Sequence, residues 1–156
     1  MSQIIEQRIA TLLGNFGLIP FFALAAANWA PFGAPYEKFV EQALVGYAAV
    51  IVTFLGAVHW GLALATPALD KAHARSAFGW GVAPAALAWL ALLLAIAGMH
   101  TGLVYAFLIG DLAICRLVDG ALLRVYDAVP AWYPALRTRL TIGATIALAI
   151  ALASTL

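Results

Sequence analysis

The chain has 156 residues, of which 65% are hydrophobic and 10% charged. Soluble domains carry roughly 45–50% apolar and about 25% charged residues, so this composition excludes an ordinary soluble domain and points to a protein embedded in lipid. The formal net charge is only +1 and no basic patch with interleaved aromatics suggests nucleic acid, while the single Cys115 excludes an intrachain disulfide framework and any multi-cysteine metal site.

A transmembrane helix requires about 20 mostly apolar residues, and five segments meet that demand. The first predicted span runs from about Ile9 to Asn28. Its apolar run exceeds the usual 7–15 residues of a signal peptide, so it is expected to stay as a span rather than be cleaved. The stretch "WAPFGAPYEK" (29–38) reads as a turn-rich interfacial loop. The second span covers about Val40 to Ala65, and "TPALDKAHARS" (66–76) is a polar, charged connector. The third covers about Ala77 to Gly98 and joins the fourth, about Gly102 to Leu122, through a tight hairpin at "GMHT" (98–101). The segment "RVYDAVPAWYPALRTR" (124–139) places Trp132 and Tyr133 between two prolines, as suits an amphipathic stretch in the headgroup layer, with Arg137 beside them as a further interfacial residue. The fifth span runs from about Leu140 to the C-terminus.

Alternating strand patterns and internal repeats are absent, so the expectation is an all-α, polytopic, five-helix transmembrane domain over residues 1–156. Five spans put Arg8, Lys71, Arg75, Arg124, Arg137 and Arg139 on one side and only Lys38 on the other. The positive-inside rule then predicts a cytoplasmic N-terminus in a bacterial inner membrane.

Ionisable residues are costly inside lipid and are site candidates where they lie deep. Asp111 is the deepest, about nine residues or about 14 Å from the outer end of the fourth span. It shares a face with Cys115 and Asp119 at i, i+4 and i+8, while Arg116 is three residues from Asp119 and within pairing reach. One reading makes Arg116 and Asp119 a headgroup-level pair and Asp111 a neutral carboxyl bonded to a neighbouring helix. In "GAVHWGLAL" (56–64), His59 falls at the same depth as Asp119, flanked by Gly56 and Gly61, which permit close helix approach. The functional reading is a cytoplasm-facing polar pocket lined by Asn15, His59, Trp60, Trp80, Arg116 and Asp119, with Asp111 as a deeper member. The competing reading is that His59 makes one bond across a seam and locks packing.

Several chemistries are excluded. The His, Cys and Asp positions lack metal-ligand spacing, and neither a phosphate loop nor a nucleophile elbow occurs. "DGALLR" (119–124) departs from the CDP-alcohol phosphotransferase signature at Leu123 and lacks its later glycine and aspartates.

The stretches "FLGAVHWGLAL" (54–64), "GWGVAPAALAWLALL" (79–93) and "PAWYPALRTRLT" (130–141) together resemble a bacterial family of small membrane proteins, domain of unknown function 3429, which has a mitochondrial transmembrane relative. The resemblance covers most of the chain, from "FGLIPF" (16–21) to Thr141. It marks His59, Trp60, Gly61, Pro84, Trp89, Trp132, Tyr133, Arg137 and Thr141 as motif positions, and it implies a five-helix topology without implying an activity. The function expected from the residues is that of a non-enzymatic binding or accessory protein for a lipid, quinone or tetrapyrrole. A proton-coupled carrier or channel using Asp111 and His59 is the alternative, and an intramembrane enzyme the third reading. The lipid bilayer is the expected partner, a small apolar ligand a further one, and self-association or membership of a larger membrane complex stays open.

Overall fold

A computed structural model describes residues 2–31, 33–126 and 129–156. Met1, Phe32, Asp127 and Ala128, which fall at the N-terminus and in two of the expected loops, lie outside the described residues. The chain forms α1 (Ser2–Ala27), α2 (Ala34–Leu64), α3 (Lys71–Ile96), α4 (Thr101–Leu122) and α5 (Tyr133–Ala153), with a 3₁₀ turn at Leu123–Val125. No strand occurs among the described residues. All five helices are long and apolar enough to cross a membrane, as the composition predicts.

The helices outrun the apolar stretches that announce them, for identifiable local reasons. Pro35 in its first turn lets α2 begin at Ala34, inside the stretch expected to be loop, because an N-terminal proline gives up no helical hydrogen bond. With 31 residues, α2 is about 46 Å long, against about 30 Å of hydrocarbon, so it reaches past the bilayer core. Asp70 caps α3, accepting from the backbone N–H of Ala72 at 2.8 Å and of His73 at 3.1 Å, and so turns most of the charged connector into helix. The hairpin between α3 and α4 closes on Gly98 at φ 81°, with Gly98 N–H donating to Ala95 O at 3.1 Å and Met99 N–H to Leu94 O at 3.0 Å. Those paired bonds use up carbonyls that the helix end would leave open, and the left-handed residue suits glycine.

The largest correction concerns α5, which starts at Tyr133 rather than Leu140. Pro134 again sits in the first turn. Arg137 is thereby carried from an expected surface segment into the helix body.

Helices in lipid gain little from apolar burial against one another, so close backbone approach and interhelical bonds hold them. The most extensive pairing is α2 with α3. There Gly56 lies against the carbonyl of Gly81 and the ring of Pro84, and a Cβ on Gly56 would come within 2.9 Å of that carbonyl oxygen. Between α1 and α5 the fit is reciprocal: Leu140 seats on Gly14 and Leu18 on Gly143. The centre of the bundle is filled by Leu44, Val52, Tyr105, Leu108, Leu112 and Leu148. Phe16, Phe54, Ile96 and Leu117 stay exposed on the outside, as lipid contact requires.

Candidate functional site: a buried His, Asp, Arg and Tyr cluster

Three helices bring opposite charges together in the interior. Asp119 lies in the last turn of α4, Arg137 in the second turn of α5, and His59 near the end of α2. The exposures are 2%, 4% and 0%, so none of the three reaches bulk solvent. Arg137 donates to Asp119 Oδ2 from Nε at 2.8 Å and from Nη2 at 2.5 Å. Its Nη2 also donates to the Leu55 carbonyl at 3.3 Å. The guanidinium carbon stands 6.0 Å from the Tyr133 ring centroid, within cation–π range.

The tautomer of His59 follows from this pairing. A carboxylate held by a guanidinium only accepts, so His59 Nε2 carries the hydrogen and donates to Asp119 Oδ1 at 2.9 Å. In the neutral ring Nδ1 is then an acceptor, and Tyr126, just past the 3₁₀ turn, donates its O–H to it at 3.3 Å. Burial, and then the charge of Asp119, push the Tyr126 phenol above its ordinary range, which keeps it a donor. Both ring nitrogens of His59 are satisfied. One group is not: Arg137 Nη1 is buried with no partner.

Trp60 is the outward neighbour of His59. Its indole lies over Gly81, where a Cβ would approach Cδ1 to 2.0 Å, and its Nε1–H donates to the Phe78 carbonyl at 2.9 Å. The H-W-G and G-W-G-x-x-P elements are thus two sides of one seam. His59 faces the bundle interior, while Trp60 closes the edge between α2 and α3 over a glycine.

Two hollows meet at Arg137. A groove of about 390 Å³ runs between α1, α2 and α5, with Leu13, Phe21, Ile51, Phe54, Leu136 and Leu140 among its walls and Tyr133, Arg137 and Thr141 as its polar members. A second cavity of about 290 Å³, at the α4–α5 connection, is lined by Arg116, Asp119, Gly120, Arg124, Tyr126 and Arg137 among others.

Over residues 6–153 the chain matches a family described as "Protein of unknown function (DUF3429)". The chain belongs to the DUF3429 family. It is also similar to Transmembrane protein 69 of Xenopus tropicalis, at 37% identity over 139 residues, which is 89% of this chain and 51% of the relative. The chain therefore spans about half the length of the curated relative it matches. No solved structure matches it. The fold and the relative together make this DUF3429 member a multi-pass membrane protein.

The residues singled out from the sequence do not all meet in this DUF3429 chain. His59 and Asp119 do. Arg116 shares the 290 Å³ cavity with Asp119 but does not pair with it, since its Nε donates to Thr138 Oγ1 at 2.8 Å. The expected Arg116–Asp119 pair is replaced by Arg137–Asp119, because α5 starts early enough to bring Arg137 to the carboxylate. Asn15 is on the exposed face of α1, accepting from Arg139 Nη2 at 3.0 Å. Trp80 packs between α3 and α4, away from His59's hydrogen bonds, and lines a shallow hollow with Leu117 and Val118. Asp111 is buried; its Oδ1 meets Cys115 Sγ at 3.8 Å and its Oδ2 has no partner. No cation is paired with it among the described residues. Trp132 and Tyr133 stack edge to face at 6.0 Å at the head of α5, partly buried. Among the described residues no group of three metal-ligating side chains occurs.

Arg137 and Tyr126 are what sequence reasoning missed at the cluster. For Arg137 a signal existed. Arg137, Thr141, Ala144, Leu148 and Ala151 are all buried on α5 and recur at steps of four and three, which is the stripe of an inward helix face. Tyr126 carried no such signal, since its position depends on how the chain turns after α4.

Proposed function

We propose that this protein is a non-enzymatic binding or accessory protein that holds the apolar chain of an amphipathic molecule, a lipid or a quinone, in the groove between α1, α2 and α5. The observation that carries this reading is the groove itself. Its volume of about 390 Å³ lies within the roughly 300–1,000 Å³ of ordinary ligand sites. Its walls are mostly apolar, and its polar members, Tyr133, Arg137 and Thr141, suit the oxygen-bearing end of a chain-like molecule better than a group that must be ligated. A metallated tetrapyrrole needs an axial ligand. Both ring nitrogens of His59 are engaged by Asp119 and Tyr126, and His59 does not line the groove.

The test is mass spectrometry of solvent extracts from purified protein, comparing the native chain with Gly17→Leu. Gly17 lines the groove, and a Cβ there meets only the Tyr47 hydroxyl at 3.9 Å, so the first carbon of a larger side chain has room at the groove wall. A chain-bearing amphiphile should copurify with the native protein and fall about tenfold or more in the variant, a loss of about 1.4 kcal/mol. Equal recovery from both proteins refutes the groove.

The orientation belongs to the same proposal. Arg137 is interior, so the exposed cations at the N-terminal end of the bundle are Arg8, Lys71, Arg75, Arg124 and Arg139, against Lys38 at the other. That bias supports a cytoplasmic N-terminus in a bacterial inner membrane. A periplasmic reporter fused after Leu156 should then be active, and an inactive reporter with an active cytoplasmic counterpart reverses the assignment.

A further inference from the structure

We propose that the 290 Å³ cavity at the α4–α5 connection is a binding site for a phosphate monoester. Three guanidinium side chains, Arg116, Arg124 and Arg137, line this small space, with Asp119 as the one carboxylate among its described lining residues. Among the described residues, three positive charges less one negative leave two unmatched, which suits a phosphate monoester, about −1.5 to −2 at neutral pH. Asp119 competes little for a ligand, since His59 and Arg137 already occupy both of its oxygens.

A second observation points to an absent acceptor. Arg137 is 4% exposed and its Nη1 is buried without a partner. Nε and Nη2 face Asp119, so Nη1 is on the edge of the guanidinium turned from that carboxylate. A buried charged donor left unpaired is unfavourable, and an acceptor supplied by a ligand removes that cost.

The walls fit the same chemistry. Arg116 is fixed through its Nε on Thr138, and its guanidinium lies against Gly120 beside the cavity. Pro130, Ala131 and Pro134, around the start of α5, form the opposite wall. The cap residue of that helix, Trp132, makes no side-chain capping bond, and the positive helix end adds to the field. This site does not depend on the apolar groove being occupied.

The phosphate monoester has two sources, a lipid such as phosphatidic acid or a soluble ion. The test is native mass spectrometry of the full chain in detergent, titrated separately with phosphatidic acid, phosphatidylcholine and inorganic phosphate. Preference for phosphatidic acid over phosphatidylcholine of about tenfold, with weak binding of inorganic phosphate, supports the site and assigns a lipid. Saturable binding of inorganic phosphate that competes with phosphatidic acid supports it and assigns the soluble source. Arg124→Gln, at an exposed position, should weaken either by about fivefold, and Arg116→Gln should do the same. Gly17→Leu should leave phosphate binding unchanged, which separates this site from the groove. Equal binding of the two lipids with no phosphate binding, or affinity unmoved by Arg124→Gln in a protein with native circular dichroism, overturns the proposal.

Discussion

Removing Asp119 should destabilise the bundle more than removing Asp119 and Arg137 together. In Asp119→Leu, Arg137 keeps the Leu55 carbonyl at 3.3 Å and the Tyr133 ring but no anion, and His59 Nε2–H loses its acceptor. Breaking one side of a buried ion pair costs about 3–5 kcal/mol, because the surviving charge stays in a medium that cannot solvate it. Arg137→Met should cost a similar amount, leaving the carboxylate of Asp119 with His59 alone. In the double variant no charge is stranded, and the remaining loss is the unpaired His59 N–H, about 1–3 kcal/mol. The two single losses therefore sum to at least about 6 kcal/mol against at most about 3 for the double, a coupling of about 3 kcal/mol or more. For a chain of this size each kcal/mol moves Tm by about 2–4 °C, so each single variant should melt about 6–20 °C lower than the native protein and the double should recover part of that. Melting in one detergent at one lipid content, followed by circular dichroism, reads the four proteins side by side. If the double loses as much as the two singles added, Asp119 and Arg137 do not act as a pair and the cluster geometry is wrong.

Gly81→Ala places a methyl about 2.0 Å from Trp60 Cδ1, so the indole must leave its seat and lose its bond to Phe78. We expect a loss of about 1–3 kcal/mol, largely restored by Trp60→Ala in the same chain, and an equal loss in both backgrounds would show that the seam does not rest on this contact. Asp111→Asn should fold normally and melt within about 1 kcal/mol of the native protein, since no cation is paired with that carboxyl among the described residues. A drop as large as that of Asp119→Leu would reveal a charge partner. At the start of α3, the side chain of His73 and then its backbone N–H hold Asp70 below the usual carboxylate range. A lowered carboxyl pKa makes the cap fully present above the unfolded value, near 3.9, and lost as pH falls through the lower folded value. The protection of amides 71–74, measured against intrinsic exchange, should therefore fall only in that acid window, and Asp70→Ala should lower it at every pH above that window. Protection unchanged by that substitution would dismiss the cap.

Hydropathy alone determined the membrane environment, the number of helices and their rough positions, because spanning lipid demands long apolar runs whatever the neighbours are. The cost of an unbonded imidazole in lipid required a partner for His59, and the roughly 100° between adjacent residues keeps Trp60 off the His59 face, although the sequence reading grouped the two in one pocket. The ends of the helices were less legible. Asp70 and Pro134 act through capping and first-turn geometry, and these extend a helix into polar sequence that a hydropathy reading assigns to loops. That shift of α5 from Leu140 to Tyr133 decided the site. With the later start Arg137 belongs to the interface and Arg116 is the natural partner of Asp119, three residues away on the same helix. With the earlier start Arg137 comes in from another helix to Asp119, while Arg116 turns to Thr138. Spacing along one helix reports which residues are able to meet. Which cation a buried carboxylate takes depends on how α2, α4 and α5 pack, and only the tertiary structure contains that packing.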